Sequence, residues 1–302
     1  MTVLASHEQA PPAAATSRPG LLAPLVTLVL AAAATFATYQ VFIRTTLGQS
    51  VDTRAMRGAE VHHPKVIEVL NRTLNGTTLV SLVLVCLVAA AIGVLRKRID
   101  LAVGAALLVL GSNGSVQLLK THLIRPHLDQ FPAPNSFPSG HTAAAASVAF
   151  ALVMVLPQAI RGTVALIGAG YVAVIAIATV WAAWHRPSDT VAALLIVLTW
   201  GSLATFGIRA GRYRSLAASR RPGRLATLPL IAIGAVTAVT GLLGLAAVAL
   251  SERVTPDLVS GRFAFLAGAA CITAAVAGTF LLWMRLASAE VAPGTTPQGG
   301  TT

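Results

Sequence analysis

Apolar residues run along this chain in long unbroken blocks, without the strict alternation of a half-buried strand or the narrow stripe of a surface helix. Eight blocks stand out, at 21–43, 77–95, 99–119, 141–156, 163–184, 190–208, 225–250 and 263–283. Most are near the ~20 residues that a helix needs to cross about 30 Å of hydrocarbon. The fourth is short and opens at a histidine, which puts its first turn at the interface. The pattern predicts an all-α polytopic transmembrane helical bundle. Its organisation reads as a six-span unit at 21–210, then a basic loop with two additional spans at 211–286. Residues 1–20, rich in Ala, Pro and Ser, read as a disordered cytoplasmic tail followed by a retained span, and 287–302 as a disordered C-terminal tail. No soluble domain is inserted, and no repeat is visible at the level of motifs.

The polar breaks between blocks set the orientation. Arg96, Lys97 and Arg98 join the second and third spans, Arg161 the fourth and fifth, and six arginines between 209 and 224 the sixth and seventh. Alternating spans put all three segments on one side, which the positive-inside rule makes cytoplasmic. The other side then holds 44–76, 120–140, the 184–189 corner and 251–262. Within 44–76, after Pro64, the residues Val66, Ile67, Leu70 and Leu74 recur at helical spacing with Glu68 and Arg72 four apart. That segment reads as a helix on the membrane surface or, equally, as a plain connecting helix. The last two spans carry no charge between Arg224 and Glu252 or between Arg262 and Arg285, and read as scaffold.

Composition adds to this picture in two ways. With 55% hydrophobic and 11% charged residues, the chain has about half the ~25% charged share of a soluble domain. The net charge of +12 is carried mostly by arginine, lysine occurring only at 65, 97 and 120. Arginines grouped between apolar blocks suit anionic lipid headgroups and not nucleic acid. Cys86 and Cys271 lie inside apolar blocks, so no disulfide is expected.

The candidate chemistry is confined to 120–189, on the side opposite the arginine clusters. Lys120 ends the third span. A loop with Pro126, Pro132, Pro134 and Pro138 leads to Ser139-Gly140-His141, which opens the fourth. A helix start offers unpaired N–H groups and partial positive charge, and Gly140, lacking a Cβ, lets an anion come close to the backbone. The second piece is His185-Arg186-Pro187-Ser188-Asp189, with Pro187 suited to the first turn of the sixth span. His185 and Asp189, four apart, can meet if the turn is helical, and a carboxylate on one ring nitrogen makes the other a better nucleophile. Singly, each piece has a plain alternative: Asp189 as a helix cap, Ser139 and Gly140 as ordinary helix starters, Lys120 as an interfacial anchor. Together they meet at the ends of hairpinned spans.

These residues resemble the type 2 phosphatidic acid phosphatase and haloperoxidase superfamily. Its three blocks are a Lys followed after six residues by Arg-Pro, then Pro-Ser-Gly-His, then Ser-Arg, five residues, His, three residues and Asp. Lys120, Pro138-Ser139-Gly140-His141, and His185 with Asp189 match in order, spacing and side, over about 77–208. The resemblance implies a catalytic set in which His185 attacks phosphorus to give a phosphohistidine, Asp189 orients it, and His141 protonates the leaving alkoxide and then activates water. It implies that Lys120, Ser139 and the Gly140 backbone hold phosphate oxygens. Two family arginines are absent: His127 and Thr179 stand at their places, while Arg125, before Pro126, and Arg186 lie nearby as substitutes. His127 itself is a further candidate phosphate ligand.

The function so implied is a membrane lipid phosphatase acting on a lipid phosphate or diphosphate, with the site on the extracytoplasmic side of the plasma membrane. Lipid phosphate and membrane lipids are the expected partners, nucleic acid is not, and the oligomeric state is open. No carboxylate cluster accompanies the histidines, so neither a metal nor another cofactor is required. Alternatives are a phosphotransferase to an acceptor other than water and a lipid-binding or lipid-moving protein that has lost chemistry with the arginines. A vanadate-dependent haloperoxidase shares the superfamily, but so many spans favour a lipid.

Overall fold

The computed structural model describes residues 20–59, 68, 72, 79–129, 134–211, 224–255 and 258–287. Among them are nine helices and no strand: α1 (Leu22–Phe42), α2 (Thr46–Arg57), α3 (Leu79–Leu95), α4 (Ile99–His122), α5 (Gly140–Val155), α6 (Gln158–Trp181), α7 (Pro187–Gly211), α8 (Arg224–Val254) and α9 (Gly261–Ala287). Six are long and apolar enough to cross a membrane, α1, α4, α6, α7, α8 and α9, while α3 and α5 are shorter apolar helices. This is an integral membrane protein built as a polytopic helical bundle, as the apolar blocks predict.

Local chemistry sets the boundaries. At the start of α4 the Arg98 guanidinium grips Asp100 through two bonds of 3.1 Å, a favourable acid in the first turn. Lys120 and His122 in the last turn of that helix complement the opposite pole. Ser139 caps α5, its Oγ accepting from the Thr142 N–H at 3.3 Å. Leu156, before Pro157, ends α5, and Pro187 opens α7.

α7 is the axis of the bundle, packed against α1, α2, α4, α5 and α9. α5, rich in alanine, lies deep beside it and buries Ala143, Ala146 and Phe150 completely. The C-terminal hairpin is wedged into this core. The Trp283 ring of α9 stacks on Phe150 at 4.9 Å, and its Nε1 donates to the Phe150 carbonyl at 3.1 Å. Phe280 meets Phe150 edge-on at 5.0 Å.

α2 has no counterpart among the apolar blocks. Thr45 caps it, accepting from the Gly48 N–H at 3.0 Å, and Gly48, Gln49, Val51, Asp52, Thr53 and Ala55 are buried. It folds back over the bundle end that carries the start of α7. Of the helix expected after Pro64, only Glu68 and Arg72 are described; they are helical and paired at 2.7 Å. The tails expected at 1–20 and 287–302 lie almost wholly outside the described residues, as do four arginines of the 209–224 cluster.

Candidate active site

The site is the meeting point of three helix ends: the last turn of α4 with the irregular segment after it, the start of α5, and the corner between α6 and α7. That corner is a compact turn. Thr179 O accepts from both Trp184 N (3.0 Å) and His185 N (3.2 Å), and Ala183 N donates to Val180 O at 2.9 Å. Ala183 takes a left-handed φ of 56° to close it, a conformation costly for any residue with a Cβ. The turn delivers His185 two residues before Pro187, with Asp189 in the first turn of α7.

His185 and Asp189 are brought together, both buried, with Nδ1 3.5 Å from Oδ2. The carboxylate is already anchored: Oδ2 accepts from the Arg186 N–H at 2.9 Å and from Ser136 Oγ at 2.5 Å. His185 Nδ1 and Asp189 Oδ1 have no hydrogen-bond partner, so a shift of a few tenths of an ångström closes the pair. Such contacts are commonly long until substrate is bound. Nδ1 faces the acid, which leaves Nε2 as the outward nitrogen.

His141, half-buried at the start of α5, faces His185 edge-on with ring centroids 6.2 Å apart, and packs on Trp184 at 5.4 Å. This spacing is about twice the 3–3.5 Å approach of reacting atoms, so one tetrahedral group can meet both imidazoles. A backbone bond from Ser139 N to Asp189 O, 2.9 Å, locks the two helix starts together. A Cβ on Gly140 would meet nothing within 4 Å, leaving free space in front of the α5 N-terminus. Ser139 is fully buried, with its Oγ taken by Thr142.

The cations divide. Arg186 is buried at 2% exposure, its Nε donating to Thr53 Oγ1 at 3.1 Å and its Nη1 to Ser136 Oγ at 3.3 Å. Arg125 is 7% exposed, and both its Nη1 and Nη2 are buried without a hydrogen-bond partner. Burial, then the neighbouring Arg186 charge, pulls the Arg125 guanidinium below its ordinary value, against the attraction of Asp189, Asp52 and Asp129. Two buried guanidiniums near two histidines, one of them with both terminal nitrogens unpaired, form a place suited to an anion. Lys120, half-buried, also lies within electrostatic reach of Asp189.

His127 is exposed, and no hydrogen bond or ion pair joins it to these groups among the described residues. Thr179, at the other missing arginine position, is buried with its hydroxyl turned back onto Ala176 O at 2.8 Å. Among the described residues no group of three or more His, Cys, Asp or Glu side chains is placed to hold a metal ion.

Sequence reasoning missed five contributors: Ser136, Ser188, and Gln49, Asp52 and Thr53 of α2. Asp52 accepts from the Ser188 N–H at 3.0 Å and from Ser188 Oγ at 2.5 Å. The signal for α2 was there, since Gln49, Asp52 and Thr53 sit at i, i+3 and i+4 behind a Thr45 cap, one polar helical face. It was masked by the stronger apolar spacing after Pro64.

Residues 102–210 match the family model of the PAP2 superfamily. Over that segment the chain is similar to the PAP2 superfamily. Searches of curated proteins and of solved structures return no match. The PAP2 match takes in Lys120, Arg125, His141, Arg186 and the His185–Asp189 pair, and it stops short of α2. Together with the membrane-crossing helices, that similarity supports a membrane phosphatase type of family.

Proposed function

We propose that this protein hydrolyses a lipid phosphate or diphosphate through a phosphohistidine, with the site at the extracytoplasmic face. The observation that carries the reading is the pair of histidines 6.2 Å apart, one backed by a buried carboxylate, with two buried guanidiniums nearby, of which Arg125 has no partner for its terminal nitrogens. The His185 Nε2 lone pair attacks phosphorus as the P–O bond to the lipid breaks. Protonated His141 gives its proton to the departing oxygen. Water then loses a proton to His141 and attacks phosphorus, the P–N bond breaks, and inorganic phosphate leaves with His185 restored. Arg125, Arg186, Lys120 and the α5 N-terminus neutralise the phosphoryl oxygens. Exposed apolar helix faces around the site keep the lipid tail in hydrocarbon while its headgroup reaches the polar end.

The test is phosphate release from a panel of lipid phosphates by detergent-purified protein. His185→Ala lowers turnover by about 10⁴-fold or more and abolishes covalent trapping of phosphate. Wild-type turnover in His185→Ala removes the mechanism. Folded wild type inactive on every substrate, yet binding orthovanadate, supports the lipid-binding alternative, and phosphate appearing on an acceptor other than water supports the transferase.

A further inference from the structure

α2 lies outside the segment that the PAP2 family model covers, yet three of its polar side chains are buried and each secures a different part of the site. Gln49 holds the irregular segment that carries Arg125. Its Nε2 donates to Pro126 O and to Ile43 O, each at 2.7 Å, and its Oε1 accepts from Leu128 N at 3.3 Å. Arg125 is thus fixed through its backbone neighbours while its terminal nitrogens stay unpaired. Asp52 receives Ser188 N and Oγ, an acceptor at the first turn of α7 supplied from another helix. Thr53 uses its hydroxyl in both directions, accepting from Arg186 Nε at 3.1 Å and donating to Asp129 Oδ2 at 2.6 Å.

α2 is braced from behind by the C-terminal hairpin. Arg54 pairs with Glu252 and donates to Val259 O at 3.1 Å, and Gly58 meets the backbone of Gly261 so closely that no side chain fits between them.

We infer that α2 is the positioning element of the phosphate site: Gln49, Asp52 and Thr53 hold Arg125, the His185–Asp189 corner and Arg186 where two arginines outside the usual family positions converge on one anion. This rests on the phosphatase reading above. The physical need is plain. Arg125 and Arg186 are like charges buried side by side, and they relax apart unless fixed partners hold them before the anion arrives. A guanidinium binds phosphate well only when its planar fork is aligned, and Thr53 fixes the Nε edge of Arg186.

The experiment uses full-length protein in detergent, with orthovanadate as the phosphate-like probe, read as apparent Kd by calorimetry beside KM and kcat for a lipid phosphate. Thr53→Val keeps the shape and removes the hydroxyl. It should weaken orthovanadate binding and raise KM about tenfold, with a smaller change in kcat, and Thr53→Ser should recover most of the loss. In an Arg186→Lys background Thr53→Val should add almost nothing, because the group it positions is gone. Gln49→Met, judged in the same way against Arg125→Lys, is an independent arm if Thr53→Val fails to fold. Wild-type binding in both Thr53→Val and Gln49→Met, or full additivity with the arginine changes, overturns the inference and leaves the phosphatase reading standing. Wild type that neither binds orthovanadate nor releases phosphate overturns both.

Discussion

Asp52 is a buried carboxylate whose hydrogen bonds come from a serine and not from a cation, and such a group favours its neutral form. Burial, then the nearby Asp189 charge, pushes it up to about 7 from 3.8, against the Ser188 hydrogen bonds and the Arg186 charge, which pull it down. The folded state therefore holds a proton that the unfolded chain has released between pH ~4 and ~7, and stability falls as pH rises through that window. Asp52→Asn mimics the protonated form and should remove this component. Melting temperatures taken from pH 4.5 to 8 should show wild type losing stability relative to Asp52→Asn up to about pH 7, with a constant difference above it. Parallel curves would show that Asp52 carries no such proton. The contrast with His185 and Asp189 explains what was legible at this scale. Their meeting is encoded locally, by a four-residue spacing across a proline that opens a helix. Asp52 reaches Ser188 from 136 residues away, and Ser136 reaches Asp189 from a proline-rich loop, contacts that no local spacing announces.

The apolar helices were readable to within about five residues at each end because hydrocarbon imposes a similar length on each, and proline, serine and charge mark the ends. α2 escaped because it is short, polar and not membrane-crossing, and it owes its place to tertiary contacts. How elements pack was also illegible, since it depends on which glycine faces which ring. Gly201 of α7 faces Trp283 of α9, where an added Cβ would lie 2.8 Å from the ring Cζ3. That ring is fully buried, stacked on Phe150 and tied by its N–H, so it has little freedom to yield. Gly201→Ala should cost about 1–3 kcal/mol and lower the melting temperature in detergent. Gly207→Ala, on the same helix with nothing within 4 Å, should be neutral or slightly stabilising. Equal melting temperatures for the two variants would mean that the α7–α9 contact is looser than described.

At the scale of the whole molecule, the two ends of the bundle are chemically opposite. One end gathers Asp52, Asp129, Asp189, His141, His185, Arg125, Arg186 and Lys120 into the site. The other is ruled by arginines that cap helix carbonyls. Arg96 donates to Val155 O at 2.6 Å, and Arg161 to Met154 O, Leu156 O and Ala287 O at 3.2, 2.8 and 2.8 Å. Arg209 donates to Leu286 O and Gly20 O at 2.7 and 3.0 Å. These guanidiniums satisfy the orphan carbonyls of α5 and α9 where water is scarce, so they stabilise the fold as well as biasing its orientation. With Lys97 and Arg98 they make this end cationic, and by the positive-inside rule we propose that it is the cytoplasmic one. In that proposed orientation the site end faces outward. Single cysteines at Asp129 and Asp257, introduced after Cys86 and Cys271 are replaced, should react with a membrane-impermeant thiol reagent in intact cells. A cysteine at Ser215 should react only after permeabilisation. Labelling of Ser215 in intact cells, with Asp129 and Asp257 protected, would invert the molecule and place any phosphate it releases in the cytoplasm.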